Sequence, residues 1–103
     1  MIQELLSAVP GGAWPERCPT PPQCDYVVYF DDVDADGPDL RNMLFTHNVT
    51  VELYEWKRDS TTSAALEAEL NARGIRWTKT TRRWQSSIQQ YRTIYDFSYI
   101  EKE

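Results

Sequence analysis

The sequence predicts one α+β domain in which a mainly antiparallel, four-stranded sheet packs against helices. An alternating strand (VTVELYEWKR), a helix (DSTTSAALEAELNARG) and two further strands (IRWTKTTRRW and QYRTIYDFSYIEK) follow one another with short connections. A fourth strand, YVVYF, comes earlier, after a short N-terminal helix and a proline-rich loop. The expected order is therefore helix, strand, loop, strand, helix, strand, strand.

The length and composition indicate a single folded domain. Of the 103 residues, 41% are hydrophobic and 13% aromatic, which is sufficient for a sheet-and-helix core. We expect a helix over 1–9, a proline-rich loop over 10–25 and the core over 26–103. No apolar run approaches the roughly 20 residues of a membrane span, and the N-terminus lacks a signal-peptide pattern, so we expect synthesis inside the cell.

The charge is negative and unevenly distributed. The formal net charge is −5, which disfavours a general nucleic-acid binder because phosphate neutralisation needs a basic surface. Residues 1–56 contain ten acids and two bases, whereas residues 57–103 contain six acids and nine bases. Two interpretations remain open: ordinary solvated faces, or copies that meet head to tail, acidic side against basic side.

The N-terminal quarter predicts a short helix and then an irregular loop. Apolar residues at helical spacing in IQELLSAV predict the helix, which Pro10 and the following glycine pair end. Five of the six prolines lie in the loop, together with Cys18 and Cys24. We expect free thiols in a reducing cytosol, with a disulfide as the open alternative. One histidine and two thiols are too few for an ordinary zinc site.

The segment after the YVVYF strand matches the first half of a calcium-binding EF-hand loop. DVDADG fits that pattern, but Met43 occupies the position of the bidentate glutamate and the flanks lack helical periodicity. We expect a loop of solvated aspartates that turns at Gly37–Pro38. A calcium site and an acidic docking patch are the alternatives. The residues concerned are Asp32, Asp34 and Asp36.

The next two elements have the clearest patterns. In the strand over 48–58, Val49, Val51 and Leu53 face the core, and the opposite face is polar and aromatic. Asp59 or Ser60 caps the following helix. Its apolar stripe contains Leu66 and Leu70, and Gly74 ends it in the left-handed conformation.

The last two strands carry the basic and aromatic residues. IRWTKTTRRW predicts one strand with a wet face, and its bases alternate with Trp77 and Trp84, as in a single-strand nucleic-acid binder. The acidic net charge weakens that alternative. In the last strand, over 91–100, an aromatic ladder predicts that Tyr95 and Phe97 are buried. The bases of the nucleic-acid alternative are Arg73, in the last turn of the preceding helix, and Arg76, Lys79, Arg82 and Arg83 of the strand over 75–84.

No catalytic motif is present in the sequence. It contains neither a glycine-rich phosphate loop nor a nucleophile setting, and His47 is the single histidine. We therefore expect a non-enzymatic protein without a cofactor.

The second half contains the segments VTVELYEWKRD, LEAELNARGIRWTKTTRRW and QQYRTIYDFSYIEK. Together they resemble a family of small proteins encoded in the tail-morphogenesis gene block of long-tailed phages and prophages. The upstream YVVYF fits the first strand of that family, so the resemblance covers residues 26–102. The DVDADG segment and the cysteine-bearing loop have no counterpart there. The matching residues are Val49, Val51, Glu52, Leu53, Tyr54, Ile75, Trp77, Tyr91, Tyr95, Phe97 and Tyr99.

This resemblance implies a tail-terminator-like, or tail-completion, subunit with an α/β fold. Such proteins form a ring, commonly of about six subunits, which stops tube polymerisation and provides the surface for head attachment. The implied partners are other copies, the major tail tube protein and the head–neck connector, without membrane or specific nucleic acid. The implied location is the virion, and the host cytoplasm during assembly. A head-completion or minor capsid joining protein is the alternative within this class; a calcium-binding or nucleic-acid-binding module is the alternative outside it.

We therefore expect two residue sets and no catalytic residues. The interface candidates are Asp32, Asp34, Asp36, Trp56, Arg76, Arg82, Arg83 and Trp84. The core candidates are Val49, Val51, Leu53, Leu66, Leu70, Tyr95 and Phe97.

Overall fold

The fold is mostly β, so the predicted α+β class with a four-stranded sheet is wrong. The computed structural model describes residues 5–17, 24–36, 44–57 and 60–102, and in this part of the chain six strands form one mixed sheet beside one α-helix. The elements are a 3₁₀ helix (Leu6–Ala8), β1 (Ala13–Pro15), β2 (Tyr26–Asp36), β3 (Leu44–Glu55), α1 (Thr62–Ala72), β4 (Trp77–Lys79), β5 (Arg83–Gln85) and β6 (Gln90–Lys102).

Three long antiparallel strands form the centre of the sheet. The strand order is β1–β2–β3–β6–β4, and β5 also pairs with β6. Strands β2 and β3 pair from Tyr26–Tyr54 to Asp36–Leu44, and β3 pairs with β6 over its whole length. Only β1 runs parallel to its neighbour, β2, among the strands described.

The predicted helix over 1–9 is described only from Leu5 onward, and residues 5–12 form a short segment that we call the N-terminal plug. It contains the three-residue 3₁₀ helix, and the backbone of Gly12 then turns with a φ of 84°. Leu5 and Leu6 are buried against the sheet. The sequence predicted an irregular loop over 10–25, but β1 within it joins the edge of the sheet. Val27 N–H donates to Gly12 C=O at 3.1 Å.

The predicted aspartate loop is wrong over its described part, because β2 continues to Asp36. Aspartate is a poor strand former, but alternation places Val33 and the neighbouring aspartates on opposite faces, and β3 pairs with every residue of β2. Tertiary pairing thus overrides local propensity. The predicted turn at Gly37–Pro38 and the Met43 position lie outside the described residues.

The predicted single strand over 75–84 is divided into β4 and β5 by a bulge. Lys79 pairs with Tyr95 and Arg83 pairs with Arg92. The three residues 80–82 therefore lie opposite only two residues of β6, 93 and 94. The Thr80 N–H still donates to the Ile94 C=O at 2.9 Å. An extra residue of this kind bends and twists the edge strand, which separates β4 from β5.

Helix α1 begins and ends close to the predicted positions. Gly74 has a φ of 68°, and Gly74 N–H donates to Asn71 C=O at 3.0 Å, as expected for a left-handed C-terminal cap. At the start, Ser60 Oγ accepts a hydrogen bond from Thr62 N–H at 3.3 Å. The other predicted cap, Asp59, lies outside the described residues.

The core lies between α1, the N-terminal plug and one face of the sheet. Leu5, Val27 and Ile75 belong to it. Its outer limit is the row of cross-strand partners that contains Val49 and Phe97. The residues that the sequence assigned to the core are all buried: Val49, Val51, Leu53, Leu66, Leu70, Tyr95 and Phe97.

Replacement of Phe97 by alanine should lower the free energy of unfolding by about 3–5 kcal/mol, because the ring is buried and its loss leaves a cavity. Chemical denaturation measures this change. Ile100→Ala is the matched control on the same strand: its side chain is 67% exposed, so its loss should cost less than about 0.5 kcal/mol. Equal effects of the two substitutions would contradict the assigned limit of the core.

Candidate interaction surface

The sheet has one covered face and one open face. Cross-strand partners point to the same side of a sheet, and the register places Val49, Val51 and Leu53 on the side of the core. The open face is formed by the even-numbered residues of 26–34 in β2, 46–54 in β3 and 92–100 in β6, with Thr78 of β4 and Arg83 of β5. On β2, Tyr26 and Val28 are buried on this side, whereas Phe30, Asp32 and Asp34 are exposed, so partners can reach the face directly at the end near Asp34.

Hydrogen bonds between side chains fix the middle of the open face. Ser98 Oγ donates to Asn48 Oδ1 at 2.8 Å, and Asn48 Nδ2 donates to Asp34 Oδ2 at 3.2 Å, so this chain of bonds crosses all three long strands. In the next row, Thr50 Oγ1 donates to Asp96 Oδ1 at 2.8 Å. These side chains therefore have defined positions before any partner arrives.

The three long strands continue beyond the core as a distal extension, formed by residues 32–36, 44–48 and 98–102. Val33 is 49% exposed and Ile100 is 67% exposed. Strand β1 pairs with β2 only as far as Tyr29, and β4 pairs with β6 only as far as Phe97. Within the described part of the chain, both backbone edges of the extension are thus available to another strand.

His47 supports the base of this extension. Its Nδ1 lies 2.9 Å from Asp31 Oδ2, and its ring stacks on Tyr99 with the centroids 4.5 Å apart. These contacts join β2, β3 and β6 where the hydrophobic core ends. The single histidine of the chain is therefore a structural residue here.

The interface candidates are divided between the two edges of the sheet. Asp32 and Asp34 are exposed on β2, whose last residue is Asp36. Arg76 and Arg83 are exposed along the β4–β5 edge. One edge is therefore acidic and the opposite edge is basic. The aromatic candidates Trp56 and Trp84 and the remaining base, Arg82, lie at the end of the sheet that contains β5.

The predicted nucleic-acid strand has fewer available cations than its sequence indicates. Arg73 lies 3.5 Å from Glu69, and Lys79 lies 2.9 Å from Glu67. Arg82 lies 3.8 Å from Glu55, and its guanidinium is positioned over the Tyr91 ring. Of the five bases, Arg76 and Arg83 are those that have no ion pair within the described residues.

The predicted calcium ligands do not form a binding loop in the described segment. Asp32 and Asp34 lie in extended backbone paired with β3, whereas an EF-hand wraps its ligands around the ion. The described residues contain no group of three or more His, Cys, Asp and Glu side chains that could hold a metal ion. Cys24 is a free thiol, and Cys18 lies outside the described segments.

A cleft of about 950 Å³ crosses the sheet near the distal extension. Asp32, Thr50 and Asp96 contribute polar groups from the open face. Ile75 and Trp77 border the cleft at the β4 edge, but Ile75 belongs to the core and Trp77 is the partner of Phe97 on the covered face. Arg76 also lines the cleft. The two exposed carboxylates, Asp32 and Asp96, suit a partner that carries a positive charge. Sequence reasoning missed this cleft because it depends on the register of four strands.

A second polar cluster lies at the N-terminus of α1. Asp25 accepts hydrogen bonds from the Ser60 and Thr62 hydroxyls and from Trp56 N–H. Burial acts to raise the pKa of Asp25, but these three bonds and Lys57 outweigh it and hold the pKa below its ordinary value. This cluster joins the start of β2, the end of β3 and the start of α1.

Glu55 lies beside this cluster and is fully buried. Burial raises its pKa, and the nearby Ser60 hydroxyl and Arg82 guanidinium offset only part of the rise. Neither carboxylate oxygen accepts a hydrogen bond in the described structure, because the single hydroxyl proton of Ser60 is donated to Asp25. Two neighbouring carboxylates with opposite pKa shifts are also found in catalytic acid–base pairs. Glu55, however, lines neither the cleft described above nor the smaller hollow beside β4.

Comparisons with known proteins provide no further assignment. A scan against models of protein families gave no match, and a search of curated proteins also gave none. No helix in the described segments is long and apolar enough to cross a membrane.

Glu55→Gln should remove a pH dependence of stability. Because the folded pKa of Glu55 is raised, its stabilising contribution is complete below the ordinary value of 4.5 and is lost as the pH rises through the folded pKa. The free energy of unfolding of the wild type should therefore increase, relative to that of Glu55→Gln, as the pH falls from 7 towards 4.5. The pKa of Asp25 is lowered, so its contribution disappears only at lower pH.

Denaturant unfolding at several pH values measures this difference. Glu52→Gln, on the open face of the same strand, is the control and should follow the wild-type trend. Parallel pH profiles for the wild type and Glu55→Gln would show that Glu55 is not held in a desolvated site.

Proposed function

We propose that this chain is a virion assembly subunit of the tail-terminator kind, which forms a ring at the head-proximal end of a phage tail tube. In this role it stops polymerisation of the tube and provides the surface on which the head–neck connector docks. The protein acts through its surfaces and carries out no chemistry. A head-completion or minor capsid joining subunit uses the same surfaces with different neighbours.

The placement of the phage-like residues supports this proposal. Val49, Phe97 and Trp77 are consecutive cross-strand partners on β3, β6 and β4, and Val51 is paired with Tyr95. Segments that are far apart in sequence therefore meet as one patch of the sheet. Their resemblance to the phage family concerns a connected structural unit and not three unrelated strands.

The opposite charges of the two sheet edges carry the proposal. A ring requires a heterologous contact, in which two different surfaces of the same subunit meet. Here the β2 edge presents Asp32 and Asp34, and the β4–β5 edge presents Arg76 and Arg83. Complementary charges of this kind favour the correct orientation and increase the rate of association.

The distal extension gives the ring a second kind of contact. It projects beyond the layer that α1 covers and exposes Val33 and Ile100. Apolar side chains next to free strand edges are features that partner chains bury. We assign its exposed apolar side chains, Val33 and Ile100, to an axial neighbour, the tube protein or the connector, and its acidic β2 edge to the contact between ring neighbours.

The mass of the protein as a function of concentration tests this function. We expect a concentration-dependent species of about six subunits, weakened by salt because its contacts are between charged edges. Multi-angle light scattering followed by negative-stain imaging should show rings with a central opening. A protein that stays monomeric at the highest soluble concentration and after chemical cross-linking would contradict the proposal.

A further inference from the structure

The turn that joins β5 to β6 projects from the end of the sheet opposite the distal extension. Between residues 80 and 95 the sequence contains three arginines and no acid. Trp84 is 52% exposed and Ile88 is 45% exposed. This β5–β6 hairpin is therefore a protruding, basic and partly apolar element.

A repulsive contact lies within this hairpin. Arg83 and Arg92 are direct cross-strand partners, an arrangement that destabilises a sheet. Arg92 lies 3.9 Å from Glu52, whereas Arg83 has no ion pair in the described structure. An acidic group from another molecule next to Arg83 would relieve the repulsion.

The cleft has the complementary character. Asp32 and Asp96 line it and are exposed, and the Asp32 side chain makes no hydrogen bond or ion pair within the described residues. Of the aspartates of β2, Asp32 lines the cleft and Asp34 follows it on the same face, whereas Asp31 lies on the covered face beside His47. Arg76 offsets one of these charges at the β4 side, but the side of the cleft nearest β2 remains acidic.

These two surfaces cannot meet within one molecule. The row of cross-strand partners that contains Asp32 ends at Ser98 on β6. Ser98 lies six residues beyond Arg92, a distance of about 20 Å along the strand. Asp32 on β2 and Arg83 on β5 are also separated by three strand spacings, or about 14 Å across the sheet. The charge complementarity can therefore be used only between molecules.

We propose that the cleft of one copy binds the β5–β6 hairpin of a second copy, with Arg83 against Asp32 and Asp96 on the open face. This inference rests on the proposed function and names the contact that joins neighbours in the ring. The contact is heterologous, because hairpin and cleft lie at opposite ends of the sheet. Repetition of it around an axis closes a ring, and a pair of copies leaves one cleft and one hairpin unoccupied.

A charge-exchange experiment tests the contact. Arg83→Glu and Asp32→Lys should each weaken self-association at least about tenfold, measured by analytical ultracentrifugation at low salt. An equimolar mixture of the two variants should recover association to within about threefold of the wild type, because each new charge then faces an opposite one. Asp32 is exposed and makes no ion pair in the described structure, so Asp32→Lys should leave thermal unfolding unchanged. Arg83→Glu replaces the repulsion from Arg92 by an attraction and should not lower the melting temperature.

Glu69→Lys is the control, since it makes the same charge change on the outer surface of α1, away from cleft and hairpin. It should leave association within about twofold of the wild type. If the single variants assemble like the wild type, or if their mixture stays dissociated, this contact is wrong, but assembly into a ring is not contradicted. Assembly that stops at a dimer would also overturn this contact. A wild type that never self-associates would instead contradict the proposed function.

Discussion

The register of β2, β3 and β6 is the constraint on which the rest of this structure depends. It places Val49, Val51 and Leu53 against α1 and the N-terminal plug, and it places the polar residues of the same strands on the open face. A shift by one residue would exchange the two faces completely. The apolar alternation in β3 makes such a shift costly, because it would expose the core and bury Glu52 and Asp96. The hydrophobic pattern of one strand thereby positions every charged group of the candidate interface.

Sequence patterns were informative where burial and periodicity agree, and less informative where pairing decides the structure. The strand around Val51, the helix around Leu66 and the glycine cap at Gly74 follow from local patterns, and the structure contains each of them. The aspartates of β2 read as a loop because their propensity for strands is low, but eleven cross-strand pairs with β3 outweigh that preference. The bulge between β4 and β5 and the addition of β1 to the sheet depend on partners that are distant in sequence, so no local pattern announces them.

The candidate site was predicted from the sequence only in part. The imbalance of charge between the two halves of the chain was visible in the sequence, and it indicated an acidic and a basic side. Their positions on opposite edges of one sheet follow from the strand order, which places β2 and β4–β5 on either side of β3 and β6. Asp96 belongs to the basic half of the sequence, yet cross-strand pairing places it on the open face beside Thr50. Glu55 continues the alternation of Val51 and Leu53 and so falls on the covered face, but the pattern does not reveal that it lies beside the start of a helix.

Hydrogen–deuterium exchange at low and high protein concentration tests the central claim, that the acidic β2 edge and the basic β5–β6 hairpin meet between copies. We expect slower exchange at high concentration in residues 30–36 and 83–92, with no change in α1, which lies on the far side of the sheet. Buried strand edges lose their contact with solvent, whereas a helix outside the interface keeps it. Protection of α1 alone, or no protection of either edge in an assembled sample, would contradict assembly through these edges.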